Sequence, residues 1–383
     1  MSSPKTIYLD HAATTPLDPE VFLRMQPYFT EDFYNPSATY SAARKVKQTI
    51  TEARAAVAHH IGARPTEITF TAGGTEANNL IIHGIMRQFP LSNCVVSSIE
   101  HDSVLQPAGL YEMRVAKVLA DGRIDLVSLK KSIDDTTVLV SIQYANNEIG
   151  TIQPIRDVAQ LITEVKQSRR QLGNALPLFF HTDACQVPAY LDIHAARLSV
   201  DAMTLNASKI YGPKQVGALF VKSGVAVKPL LLGGGQEKGL RSGTENVAGI
   251  VGFSAALDKA QANRHQESKR LQALHSLFID ELASNIPTAA VNGSMKHRLP
   301  NNVHITIPGQ DNELLMMRLD KQGILCAVGS ACSASNEEAS HVLKAIGLSD
   351  ADAHASLRFS MGHSTDEAAI KQTVDLLANS LDK

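Results

Sequence analysis

The chain has 383 residues, 44% of them hydrophobic, with 36 basic and 38 acidic side chains for a formal net charge of -2. That length is ample for one large core and a second, smaller one, and so even a charge gives no electrostatic case for direct binding to nucleic acid or to an anionic membrane surface. Four cysteines, Cys94, Cys185, Cys326 and Cys332, are too few and too scattered for a disulfide framework, and none forms the CxxC pair of a zinc site, so no metal is expected.

The opening MSSPKTIYLDHAATTP has no basic stretch followed by an apolar run, so no secretory signal is expected. No apolar segment approaches the ~20 residues that span a bilayer. The expectation is a soluble, cytoplasmic protein with no membrane partner. From about residue 65 to 225, apolar runs of strand length alternate with helical patterns. EITFTA, CVVSSI, TVLVSIQ, LPLFFHTD, DAMTLNA and ALFVK read as strands, with EANNLIIHGIMRQF and IRDVAQLITEVKQSRRQL among the helices between them. Strands apolar throughout, rather than alternating, suit a sheet covered by helices on both faces. The fold class is therefore α/β with a mostly parallel sheet. A helix follows from Glu245 to about Ile286, weakened early by Gly249 and Gly252. Then come NNVHITIP, ELLMMRLDKQG, ILCAVGS, ASHVLKAIG, SLRFSMG and DEAAIKQTVDLLANSL, which read as a smaller α+β domain joined by the N-terminal arm. The expected division is a large α/β domain over 16–254 and a small domain of 1–15 with 255–383.

Chemistry gathers at the strand ends. In TAGGTEANN (71–79), Gly73 and Gly74 allow close backbone approach, and Thr75 can offer its amide and hydroxyl to an anion at a helix N-terminus. The other reading is a plain Thr N-cap. His101, in IEHDSV, could lie over a flat ring or be structural. Asp183, in HTDACQ, could keep a ring nitrogen protonated or cap a helix. Lys209, in NASKIYGPK, ends an apolar strand beside small polar residues, a placement that suits a Schiff-base amine; Lys214 and Lys222 fit exposed loops better. Carboxyl ends of parallel strands are where α/β sheets bind ligands, and phosphate cup, stacking His, ring-nitrogen acid and amine together are what pyridoxal phosphate needs. Cys332 sits in AVGSACSASNEEAS, a run of loop composition, where a thiolate could act as a nucleophile. Cys326 reads as core, Cys94 as structural, and Cys185 as either pocket lining or plain helix. Arg358, inside the apolar SLRFSMG, needs a partner: a substrate carboxylate or an internal salt bridge.

Taken in order, YLDHAATTP, NPS, GGTEANN, the EH at 100–101, NNEIGTIQP, HTDACQ, SKIYGPK, GGGQEKGLRSGT, GSACSAS and LRFSMG resemble the cysteine desulfurases of the class V aminotransferase family over about residues 7–380. The resemblance implies a fold-type I enzyme dependent on pyridoxal 5'-phosphate that converts L-cysteine to L-alanine, with sulfur passing to Cys332 as a persulfide. It implies that Lys209 carries the cofactor, Asp183 pairs with the ring nitrogen and His101 stacks on the ring and carries a proton for the substrate thiol. Gln186 and Asn147 would contact the ring hydroxyl side, and Thr75, Gly74, Asn206 and Ser208 the phosphate. Thr244 would reach the phosphate of a neighbouring subunit, making a homodimer, and Arg358 with Asn35 would hold the substrate carboxylate. The long small-residue run around Cys332 is similar to the branch serving iron–sulfur assembly and tRNA thiolation, so an iron–sulfur scaffold or a tRNA-thiolation enzyme is the implied acceptor. The chain departs from the pattern at Asn206-Ala207-Ser208, where many relatives have Ser-x-His. It also departs at Cys185 (often Thr), Tyr40 (often His) and His363 (often Arg). A selenocysteine lyase, another enzyme of the same family, or a scaffold without catalysis are the competing readings.

Overall fold

The computed structural model describes residues 6–329 and 339–381. After a short strand β1 (Ile7–Tyr8) come β2 (Ile68–Thr71), β3 (Asn93–Ser97), β4 (Glu112–Ala116), β5 (Thr137–Ser141), β6 (Phe179–Asp183), β7 (Ala202–Asn206) and β8 (Gly217–Val221). The last seven form one sheet in the order β2-β8-β7-β6-β5-β3-β4. Pairings among β3 to β7 are parallel, and β8 runs antiparallel to both β7 and β2. The carboxyl ends of β2, β3, β5, β6 and β7 therefore lie on one edge of the sheet. Strands β3 and β5 are buried at every residue, as an apolar run in a doubly covered sheet must be. The sequence reading missed β4. Its EMRVA is half-exposed at the sheet's edge and carries Glu112 and Arg114, so it offers no apolar run.

A second sheet is built from β9 (Ala290–Val291), β10 (Asn302–Thr306) and β12 (Ser356–Ser360) in the order β12-β10-β9, all antiparallel. The run ILCAV forms only the two-residue β11 (Ile324–Leu325), which pairs with β1. Among the described residues no helix is long and apolar enough to cross a membrane.

One helix, Val247–Asn285, links the two halves. Its 39 residues extend roughly 58 Å at the α-helical rise. Ala248 to Leu257 pack into the apolar cluster around the large sheet. Leu271, Leu274, Phe278 and Leu282 pack into a separate cluster with Leu9, Ile305, Leu357 and Phe359. The glycines at its start are contact points rather than weak points. A Cβ on Gly249 would fall 2.3 Å from Val216 Cγ2, and one on Gly252 would fall 2.5 Å from Met25 Sδ. Helix propensity alone says that Gly249→Ala gains about 1 kcal/mol. The clash reverses the sign, and we expect the variant to lose about 1–3 kcal/mol in urea unfolding.

Candidate active site

The strand ends converge on a cavity of about 210 Å³. Gly74 and Thr75 reach it after β2, His101 after β3, Asn147 after β5, Asp183 at the end of β6 with Gln186 beyond it, and Asn206 at the end of β7 with Lys209 beyond it; Arg358 closes it from β12. Nine of the site residues expected from the sequence thus share one wall system, and Cys185 lines it beside them. Lys209 ends a single 3-10 turn, Ala207–Lys209, directly after β7. Its Nζ donates to the carbonyls of Ala12, at 3.0 Å, and Ala13. Gln186 Nε2 donates to the same Ala12 oxygen at 3.0 Å. The N-terminal arm therefore forms part of the cavity. Lys214 and Lys222 go elsewhere: the first donates to Thr15 O at 2.8 Å, the second faces Asp201 at 3.9 Å.

Asp183 caps no helix, because the next one, Ala195–Leu198, starts twelve positions on and has His194 as its N-cap. Its Oδ1 accepts from Cys185 N at 2.9 Å and its Oδ2 from Asn78 Nδ2 at 2.7 Å. Both donors and the acid are buried. A Cβ on Gly74 would sit 2.6 Å from Cys185 Sγ, so only glycine admits this thiol beside the cavity. Gly73, at φ 128°, is the N-cap of the helix Gly74–Met86, and Thr75 lies in the first turn, exposed. Asn206 Oδ1 accepts from Ser208 N and Ser208 Oγ, both at 3.2 Å, which leaves the Asn206 amide nitrogen for the cavity.

Arg358 is 1% exposed. Its Nη2 pairs with Asp10 Oδ1 at 2.6 Å and its Nη1 donates to Asn147 O at 3.0 Å. The internal salt bridge thus exists, and the guanidinium lines the cavity as well. Three of the singled-out residues lie outside this space. Ser208 lines a neighbouring, more open cavity with Thr75 and Asn206. Thr244, exposed, lines a third with Arg241 and Gln215. Asn35 is exposed, and its Oδ1 accepts from Ser37 N within its own turn. Cys332 lies outside the described residues. His363 is also away from the cavity: its ring stacks on Tyr211 with centroids 3.7 Å apart and planes 8° apart.

Several functional neighbours escaped the sequence reading: Asp10, Ala12, Ala13, Asn78, Ser103, Gln143 and Glu100. Glu100 is fully buried. Both its oxygens accept from Gln143 N, at 2.9 and 3.0 Å, and Ser97 Oγ donates to Oε1. Burial pushes its carboxyl up to about 8, with the Asp183 charge adding to the rise. The Cys185 thiol is driven well above its usual range, first by burial and then by Asp183. Its adjacency in sequence to Asp183 was the one signal for it.

The Aminotransferase class-V model matches residues 7–373. The cysteine desulfurase IscS of Dictyoglomus turgidum is 39% identical over 388 aligned positions, covering 99% of this chain and 95% of its own. The chain belongs to the class-V aminotransferase family, among its cysteine desulfurases. A NifS-like protein from Rickettsia africae superposes with a TM-score of 0.88 at 30% identity, covering 98% of this chain and 99% of its own. A structure of SspA in complex with cysteine gives 0.79 at 33%, covering 93% and 99%. These likenesses favour the desulfurase over the selenocysteine lyase and the non-catalytic scaffold. The enzyme depends on pyridoxal 5'-phosphate, and the cavity fits that group. A buried, doubly bonded carboxylate, an amine at a strand end and a Gly-Gly turn opening a 13-residue helix supply a partner for a ring nitrogen, a carbonyl-reactive nitrogen and an anion cradle.

The raised carboxyl of Glu100 has a thermodynamic signature. The folded state binds its proton more tightly than the unfolded chain, where a glutamate titrates near ~4.3. The contribution of Glu100 to stability is therefore fully present below the unfolded value and is lost as pH rises through about 8. Glu100→Gln should remove on the order of a few kcal/mol of that decline, read by urea unfolding at pH 5 and pH 8.5.

Proposed function

We propose that this cavity converts L-cysteine to L-alanine with Cys332 as the first sulfur acceptor. The observation that carries the reading is how the chain on either side of residues 330–338 is tied to the cavity wall. Ala327 exchanges two backbone hydrogen bonds with Arg358, at 3.1 and 2.8 Å, and Ser340 Oγ donates to Glu148 Oε2 at 2.6 Å, next to Asn147. In sequence, Cys332 therefore lies between a segment tied to Arg358 of the site and one tied to Glu148, the neighbour of Asn147.

In this reading Lys209 carries the cofactor through Nζ. Asp183 would face the ring nitrogen, His101 the ring face, and Gln186 and Asn147 the hydroxyl side. Gly74, Thr75, Asn206 and Ser208 hold the phosphate. When bound, the cofactor supplies an electron sink for charge developing at the substrate α-carbon. Arg358, steadied by Asp10 and the Asn147 carbonyl, takes the substrate carboxylate, with Asn35 assisting. Lys209 Nζ takes the α-proton and returns it. His101 hydrogen-bonds the substrate thiol. The Cys332 thiolate attacks the substrate sulfur. An S–S bond forms as the C–S bond breaks, and the electron pair stays with the alanyl fragment, which is protonated and leaves as L-alanine. The persulfide then serves a protein acceptor, an iron–sulfur scaffold or a tRNA-thiolation enzyme, in the cytoplasm.

Two wider readings accompany this one. Thr244 lies in a cavity apart from Lys209 of its own chain, and Phe22, Leu23, Phe29, Phe33 and Leu232 expose apolar surface, which supports a homodimer in which Thr244 serves the other subunit's phosphate. The two apolar clusters support a division into a large domain over 16–254 and a small one of 1–15 with 255–383, with Ala255 to Leu257 and Leu299 packed on the large sheet's side.

After treatment with L-cysteine, mass spectrometry should find ~32 Da of added sulfur on the peptide bearing Cys332. Cys332→Ala should keep its yellow cofactor and lose alanine formation by more than about a hundredfold, a reaction that relies on one nucleophile. Sulfur mapped to another cysteine, or unchanged turnover in the variant, would refute the assignment.

A further inference from the structure

His101 sits at the end of a buried chain of hydrogen bonds whose direction is fixed at both ends. At one end stands the Asp183 carboxylate, which can only accept. Asn78 Nδ2 bonds its Oδ2 at 2.7 Å, so the amide must present nitrogen, not oxygen, on this side. The second hydrogen of the same nitrogen goes to Ser103 Oγ at 2.8 Å. With its oxygen accepting there, the Ser103 hydroxyl is left to donate to His101 Nδ1, also 2.8 Å away. The other end is fixed by the backbone: Ser103 N, which can only donate, bonds the same Nδ1 at 3.0 Å. An imidazole nitrogen that accepts from a backbone amide carries no proton, so the ring's hydrogen resides on Nε2. Asn78 is 1% exposed and Ser103 8%, which keeps water from replacing either link.

We infer that Ser103 and Asn78 are positioning residues that hold His101 in its Nε2–H form and couple it to Asp183, so that the imidazole meets the cavity as a hydrogen-bond donor. The inference deepens the desulfurase reading, in which His101 and Asp183 flank the same cofactor ring, and rests on it for its catalytic meaning. The tautomer itself is a property of this chain, whether or not the cofactor is present. Its consequence is a division of labour. The substrate thiol, on arrival, finds N–H rather than a free lone pair at His101 Nε2, and a protonation change at either ring partner is felt by the other through two neutral side chains. The sequence offered no hint of this relay, since Asn78 and Ser103 lie in separate helices 25 positions apart.

Nitrogen-15 NMR of protein labelled in its histidine rings tests the relay, with and without bound cofactor, the His101 signals being those lost in His101→Gln. The expected native pattern is an unprotonated Nδ1, shifted by hydrogen bonding, and a protonated Nε2. In Ser103→Ala the Nδ1 signal should move toward that of an unbonded acceptor, and Ser103→Thr, which keeps the hydroxyl, should restore it. Asn78→Ala should move it the same way by a smaller amount. A protonated Nδ1 in the native protein, or a Ser103→Ala signal matching the native one, overturns the inference, and no response to Asn78→Ala severs the link to Asp183. Persulfide on Cys332 together with a protonated Nδ1 defeats the relay alone. An intact relay without that persulfide defeats the cysteine reading alone.

Discussion

A guanidinium with almost no contact with solvent is the constraint around which the two halves of this enzyme are arranged. Arg358 cannot shed its charge, so its burial calls for acceptors around the guanidinium, and both Nη groups find one. Asp10 comes from the N-terminal arm and the Asn147 carbonyl from the turn beyond β5, while the Arg358 backbone pairs with Ala327. Three segments distant in sequence are thus drawn to one residue, two of them by its side chain. The backbone reinforces this: Asp10 bridges to Ser360 on the same strand, and Ser360 N donates to Leu9 O. The arm so fixed also supplies the carbonyls of Ala12 and Ala13 that receive Lys209. The side chain at one end of the cavity and the amine at the other are held by neighbouring residues of a single strip of chain.

Keeping sulfur chemistry on one thiol requires the other thiols to be quiet. Cys94 and Cys326 are each pushed up to about 12 by burial. Cys185 is the demanding case, because it borders the cavity itself. There the Asp183 carboxylate adds to burial in disfavouring a second negative charge, so the thiol stays S–H beside the reacting groups. The acid that suits a ring nitrogen also disarms the nearest competing nucleophile.

Much of this was legible in the sequence because the decisive residues interrupt apolar strands. Lys209, Asp183 and Gly74 are conspicuous where Ile, Val, Leu and Phe have just ended, and strand ends are where such a sheet concentrates its chemistry. The supporting layer was not legible. Asn78 and Asn79 are adjacent and identical in composition, yet one is buried against Asp183 and the other bonds Thr75 O on the helix surface. Only the rotation of the helix distinguishes them. Glu100 reads as a surface charge until the packing closes over it, and Asp10 acquires its meaning from a strand some 350 positions later. Strand β4 escaped because its pairing comes from the sheet's edge and not from its own side chains.

The long helix Val247–Asn285 works as a strut, not a hinge. Its first turns are wedged by glycine contacts against the large sheet, and its last are embedded among the leucines and phenylalanines of the other cluster. Each residue advances an α-helix by about 100°. A single insertion or deletion midway would therefore swing the second cluster, with β12 and Arg358, out of alignment with Lys209. Descendants of this chain are free to lengthen their surface turns, but the number of residues in this one element is locked to the distance between carboxylate and amine in the substrate.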